Sequence, residues 1–209
     1  MASSWAAWLS AQGLSQGDRC AILAHNDAHW CAAYLGILKL GAIVVPLDTN
    51  YSPAQVATIV ADSGARRLLV SDKLREKAAS AGVPLTNVHD VPGDAGHEPA
   101  VVEPTAPAVI LYTSGTTSDP KGVVLSHGNL LAERDAAFAV VDVTDRDAIL
   151  GVLPLFHSLA QLANLLLPFA VGARVVYLET LNSTDLVRAL AERRITIFAC
   201  VPQFFYPVS

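Results

Sequence analysis

The segment Leu111–Gly122 reads Leu-Tyr-Thr-Ser-Gly-Thr-Thr-Ser-Asp-Pro-Lys-Gly and directly follows the start of an apolar run, Ala108–Tyr112. Thr113, Ser114, Thr116 and Thr117 supply hydroxyl donors, and Lys121 adds a point charge. Gly115 lets the backbone turn its N–H groups around an anion. This is the chemistry of a phosphate grip. A polar turn between two strands is the plainer reading of a Ser/Thr/Gly cluster. Donors at this density beside a lysine favour the anion site. The segment runs into Val123-Val124-Leu125, a β-branched stretch suited to a strand.

Two common phosphate loops fit poorly. The P-loop needs Gly, four residues, then Gly-Lys-Ser/Thr. Counted from Gly115, Pro120 takes the second glycine position, and Gly122 stands where the magnesium-binding hydroxyl belongs. The dinucleotide fingerprint Gly-x-Gly-x-x-Gly is absent from the segment.

Away from the loop, strands and helices alternate. Trp5–Gln12 reads as a helix stopped by Gly13, and Cys20–Ala24 as a buried strand. Asp27–Leu40 carries apolar residues at helical spacing and ends at Gly41, before a strand over Ala42–Leu47. Ser52-Pro53-Ala54-Gln55 combines an N-cap, a first-turn proline and a capping-box glutamine. That helix is expected to end near Gly64, followed by strand Arg67–Ser71 and a short charged helix, Asp72–Ala81, closed by Gly82. Asp90–Pro107 reads as a surface connection. Beyond the loop the pattern gives strand Gly122–Ser126, helix Asn129–Val140, strand Ala148–Val152 and helix Ser158–Phe169. Strand Ala173–Tyr177, helix Ser183–Arg193 and strand Ile195–Ala199 follow. The expectation is an α/β fold, a largely parallel sheet with helices on both faces.

At 209 residues, 52% of them hydrophobic, the chain can bury a sizeable core. A net charge of −5 with scattered Lys and Arg argues against nucleic acid as partner. The three cysteines, Cys20, Cys31 and Cys200, are odd in number and widely spaced, which suits buried thiols in a reducing cytosol. Met1–Ser15 lacks the basic start and long apolar block of a signal peptide. Ser158–Ala173 is uncharged but falls short of the ~20 residues that span a bilayer. A cytoplasmic protein is expected, with a peripheral membrane face left open.

Tyr112–Gly122, continuing into Val123-Val124-Leu125-Ser126-His127-Gly128-Asn129, resembles the signature loop of the AMP-forming adenylating enzymes. That superfamily holds the acyl-CoA synthetases, peptide-synthetase adenylation domains and luciferases. Ser118 stands where its usual pattern has a second glycine, which would stiffen a loop needing a positive backbone dihedral there. Leu38–Asp48 resembles the family's early core motif, and Gly151–Ser158 resembles the motif bordering its acyl pocket. Ile197–Phe205 resembles the strand and turn that follow.

The resemblance implies a partial N-terminal domain, residues 1–209, of the acyl-CoA synthetase type. It implies an ATP-dependent carboxylic acid–CoA ligase, with a fatty acid as the favoured substrate. ATP, Mg2+ and coenzyme A would be its co-substrates. Thr113, Ser114, Gly115, Thr116, Thr117 and Lys121 would hold the β- and γ-phosphates, and His157 would line the acyl pocket. The chain contains neither the family's later Gly-Tyr-Gly-x-Thr-Glu and Tyr-x-Thr-Gly-Asp elements nor its C-terminal lysine domain. It therefore reads as inactive alone, without confident catalytic residues, and prone to self-associate through surface the remainder would cover. The alternative is a stand-alone, non-catalytic nucleotide- or polyphosphate-binding module.

Single residues stay open at this level. His157 either borders the pocket or sits hydrogen-bonded at a strand end. His127 either supports the loop from behind or begins a helix. Phe156, Phe204 and Phe205 read as core, and Asp48 and Asp119 as turn residues. His25, His29, His89 and His97 are too dispersed along the chain to suggest metal ligands, so no metal site is expected.

Overall fold

The computed structural model describes residues 1–113, 121–178 and 182–200. The chain divides into two compact units, Met1–Leu131 and Ala132–Ser209.

The first unit runs α1 (Ala2–Ala11), β1 (Arg19–Leu23), α2 (Ala28–Lys39), β2 (Ile43–Pro46), α3 (Pro53–Ser63), β3 (Ala65–Val70), β4 (Leu85–Asn87), β5 (Pro107–Thr113) and β6 (Lys121–Ser126). Its strands form one six-stranded sheet in the order β4-β3-β1-β2-β5-β6. Neighbours are parallel except β5 and β6, which pair antiparallel. The reason is connection length: α2 carries the chain back between β1 and β2, as a parallel crossover requires.

Both faces of the sheet are covered. Ala21, Leu23, Val45, Leu47, Leu68 and Val70 pack in one cluster with Val56, Ile59 and Val60 of α3. Residues of opposite phase, Cys20, Ile22, Val44 and Leu69, are equally buried, and α2 packs on β1 and β2. Burial on both sides is why these strands read as unbroken apolar runs without alternation.

The helix ends follow their local chemistry. Asp27 caps α2 by accepting the Trp30 N–H at 2.7 Å. Ser52 and Gln55 exchange side-chain-to-backbone bonds of 2.8 and 3.3 Å, and α3 stops at left-handed Gly64. Arg19 donates to the Ser63 and Gly64 carbonyls at 3.0 and 2.9 Å, satisfying acceptors that the end of α3 leaves open.

One expectation for this unit needs correction, and one strand went unread. Asp72–Ala81 is not a helix; it forms two 3-10 turns, Asp72–Leu74 and Glu76–Ala78. Only Ala78 and Ala81 of that stretch are fully buried, so no apolar stripe anchors a longer helix. The short edge strand β4 was not legible because its three residues are all half-buried, leaving no alternation to read.

α4 (His127–Phe138) follows β6 and crosses the division between the units. The second unit then holds β7 (Ala148–Gly151), α5 (Ser158–Gln161), α6 (Leu167–Val171), β8 (Arg174–Tyr177) and α7 (Ser183–Glu192), with β7 and β8 parallel. The expected strand Ile195–Ala199 is reduced to a single parallel bridge between Ile149 and Ile197.

The expected helix Ser158–Phe169 is interrupted by a π-helical stretch, Leu162–Leu166. Pro168 lacks the N–H that would bond the Asn164 carbonyl in an α-helix. The Tyr177 hydroxyl takes that place, donating to the Asn164 oxygen at 2.5 Å. The Tyr177 ring fits because its ladder partner is Gly151, where an added Cβ would lie 2.6 Å from the ring. Among the described residues no helix is long and apolar enough to cross a membrane.

Tyr177→Phe should lower the unfolding free energy by about 1–3 kcal/mol, because a buried carbonyl loses its donor. Urea denaturation followed by circular dichroism measures it.

Candidate functional site

Thr113 closes β5 and Lys121 opens β6, and the two are partners in the antiparallel ladder. The pairing draws together both ends of the hydroxyl-rich segment at the carboxyl end of β5. Lys121 is exposed there. Ser114, Gly115, Thr116 and Thr117, with Ser118, Asp119 and Pro120, lie outside the described residues, as does the Thr113 side chain.

One step behind this pair, Tyr112 faces Gly122. A Cβ on Gly122 would sit 2.9 Å from Ile110 Cγ2 and 3.1 Å from the Tyr112 ring, so only glycine admits the aromatic across the strand. The Tyr112 hydroxyl donates to Asp62 Oδ2 at 2.5 Å, tying the strand end to α3. Burial raises the phenol pKa above its ordinary value, and the bond to Asp62 and that carboxylate's charge raise it further. Tyr112 therefore stays a neutral donor. Its positioning role escapes a sequence reading because Asp62 stands 50 residues away.

The far end of β6 is fixed by Ser126-His127-Gly128-Asn129. Asn129 Oδ1 accepts from the Ser126 N–H and hydroxyl, both at 2.9 Å, and the Asn129 N–H returns a 3.1 Å bond to Ser126 Oγ. The exchange has the form of a capping box at the start of α4. The His127 and Gly128 N–H groups bond to the Ala106 and Pro104 carbonyls at 3.0 and 2.7 Å, locking the turn to the segment entering β5. His127 is the first residue of α4. Among the described residues its buried Nε2 finds no hydrogen-bond partner, and burial lowers its pKa.

His157 belongs to the second unit. It precedes α5 in extended backbone, makes no side-chain capping bond, and is exposed. Its ring tilts against Phe156 with centroids 4.4 Å apart. Behind it, buried Gln161 donates from Nε2 to the Leu155 carbonyl at 3.0 Å, and the His157 N–H bonds the Pro154 carbonyl at 3.0 Å. Gln161 thus shapes the turn that presents His157, a role no sequence motif signals.

The remaining assignments divide. Asp48 is a turn residue, accepting the Asn50 N–H at 2.7 Å. Cys20 is buried, and burial pushes its thiol pKa up to about 12, which leaves it inert. Cys200 is only half-buried. His29 and His89, distant in sequence, meet in space with ring centroids 5.1 Å apart, so dispersal along the chain does not keep them apart. They meet because α2 begins after β1, His89 follows β4, and parallel strands end on one edge.

The family model described as AMP-binding enzyme matches residues 1–208. The chain is 30% identical over 208 residues to the long-chain-fatty-acid–CoA ligase FadD13 of Mycobacterium tuberculosis, with 93% of the chain and 41% of the relative covered. It is 31% identical over 194 residues to a 2-succinylbenzoate–CoA ligase of Bacillus velezensis, covering 90% of the chain and 39% of the relative. Among solved structures it resembles the N-terminal domain of FACL13 from Mycobacterium tuberculosis, with TM-score 0.84 and 26% identity. That match covers 97% of the chain and 54% of the solved one. The chain spans about two fifths of the length of these curated relatives.

A histidine whose folded pKa is depressed favours the folded state fully above its unfolded value, and loses that contribution as pH falls. Stability of the chain should therefore decline below about pH 6.5, the ordinary histidine value. His127→Gln should flatten that slope. Thermal unfolding from pH 8 to pH 5 compares the two proteins.

Proposed function

The chain belongs to the AMP-binding enzyme family, and from that premise we propose that it supplies the phosphate-binding part of an ATP-dependent carboxylic acid–CoA ligase. The observation carrying this reading is the pairing of Thr113 with Lys121 at the carboxyl end of β5. Ligands of open α/β sheets collect beyond the carboxyl ends of their strands.

In the proposed reaction a substrate carboxylate oxygen attacks the α-phosphorus of ATP. The bond from that phosphorus to the bridging oxygen breaks, and pyrophosphate leaves. A coenzyme A thiolate then attacks the acyl carbonyl and releases AMP. Negative charge grows on phosphoryl oxygens in the first step, where fixed donors and a cation stabilise it best. Thr113, Ser114, Thr116 and Thr117 would donate hydroxyl bonds to the β- and γ-phosphates, with Gly115 turning the backbone around them and Lys121 compensating charge. Mg2+ would enter with the nucleotide, whose triphosphate it neutralises. Tyr112, bonded to Asp62, would hold the strand end steady while the phosphates bind.

A fatty acid is the proposed substrate. The name of the FadD13 relative supports it, as does the apolar Leu153-Pro154-Leu155-Phe156-His157 run, with His157 proposed at the acyl pocket. Adenylation itself is proposed to need residues beyond these, consistent with the share of each relative that the chain spans.

Calorimetric titration tests the phosphate role. The chain should bind ATP and pyrophosphate, and Lys121→Ala should weaken both about tenfold or more, as expected for loss of a charge-assisted contact. Unchanged affinity in that variant would refute the assignment. ATP–pyrophosphate exchange with a panel of fatty and aryl acids should show no turnover by these residues alone. Exchange by the chain would overturn the claim that it is incomplete.

A further inference from the structure

We propose that Asp27, His29 and His89 form a binding site for a divalent transition-metal ion of the zinc type, at the carboxyl edge of the sheet. The three residues offer ligand atoms that all lie within 4.8 Å of one another. Asp27 Oδ2 is 2.7 Å from His89 Nε2 and 3.8 Å from His29 Nδ1. Ligands held about 2.0–2.2 Å from a tetrahedral ion stand roughly 3.3 Å apart. Small side-chain rotations therefore convert the present cluster into a coordination triangle.

Each ligand rests on fixed structure. Asp27 Oδ1 accepts the Trp30 N–H, which orients the carboxylate and leaves Oδ2 towards the histidines. Trp30 is itself buried, so the first turn of α2 that carries His29 is anchored in the core. On the other side, the Val88 N–H bonds the Val70 carbonyl at 3.0 Å, continuing the β3–β4 pairing. The His89 N–H then bonds Asn87 Oδ1 at 3.0 Å, while Asn87 Nδ2 donates to Asp72 Oδ2 at 2.9 Å. These bonds orient the Asp27 carboxylate and fix the backbone that carries His89, part of the support that ligands receive in metal sites.

The donor set selects the ion. Two imidazoles and one carboxylate suit zinc and its transition-metal neighbours, whereas magnesium and calcium require oxygen ligands. The side chains of Asp27, His29 and His89 keep 35–41% of their surface exposed, leaving an approach for the ion and positions for water. A bound ion would bridge the start of α2 to the turn after β4. The proposal uses none of the residues assigned to phosphate binding and stands apart from that reading.

Titration of the chelator-treated chain with zinc chloride, followed by calorimetry, tests the site. Zinc should bind at one ion per chain, and magnesium chloride should give no binding. His29→Ala and His89→Ala should each weaken zinc binding at least tenfold, and Asp27→Asn, which retains a capping oxygen, should also weaken it. His25→Gln, His97→Gln and His157→Gln should leave it unchanged. Histidine ring resonances of the unsubstituted chain supply a readout independent of any variant's folding: those of His29 and His89 should shift together on zinc addition. Absence of zinc binding, or binding indifferent to His29 and His89 in the titration or the spectra, would reduce the cluster to an ion pair and overturn the proposal.

Discussion

The antiparallel pairing of β5 with β6 is the constraint on which the candidate phosphate site depends. Five parallel strands and their connections build a conventional sheet, and β6 then turns back beside β5. This reversal sets Thr113 opposite Lys121. Had β6 joined the sheet in parallel, the connection would have had to travel the length of the sheet. The cation and the hydroxyl-bearing strand end would then lie at opposite edges.

Such a hairpin needs support, because β6 lies at the edge of the sheet and its Val123 and Val124 side chains are exposed. Support comes from both ends. At one end Tyr112 crosses Gly122 and bonds Asp62 on α3. At the other, Ser126 and Asn129 close the turn into α4, and the His127 and Gly128 N–H groups bond the segment leading into β5. The Ser-His-x-Asn run thus works chiefly as a backbone device. Its serine and asparagine satisfy N–H groups that the start of α4 would otherwise leave open.

The carboxyl edge of a parallel sheet gathers whatever follows each strand. That geometry places the Asp27 cap and His29 after β1, and His89 after β4. Chemistry-bearing residues separated by dozens of positions thereby become neighbours. In the second unit the same economy of backbone partners governs packing. Pro168 withholds a donor, the helix widens into a π-turn, and Tyr177 reaches across Gly151 to bond the released carbonyl.

Local chemistry was legible in the sequence wherever one stretch of chain decides the outcome. The Ser52–Gln55 capping box, the left-handed stop at Gly64 and the apolar runs of β1 and β2 all express short-range rules, and the family followed from the residues around Gly115. Elements whose existence depends on a neighbour were not legible. β4 exists because β3 offers an edge, Ile195–Ala199 contributes only one bridge, and Asp72–Ala81 breaks into turns without an apolar stripe to bury. The bond from Tyr112 to Asp62, the support of Gln161 for the turn before α5, and the meeting of His29 with His89 lie further still from any sequence pattern. Side-chain type and spacing report what a segment can do by itself; only the packed sheet decides which distant segments share an edge.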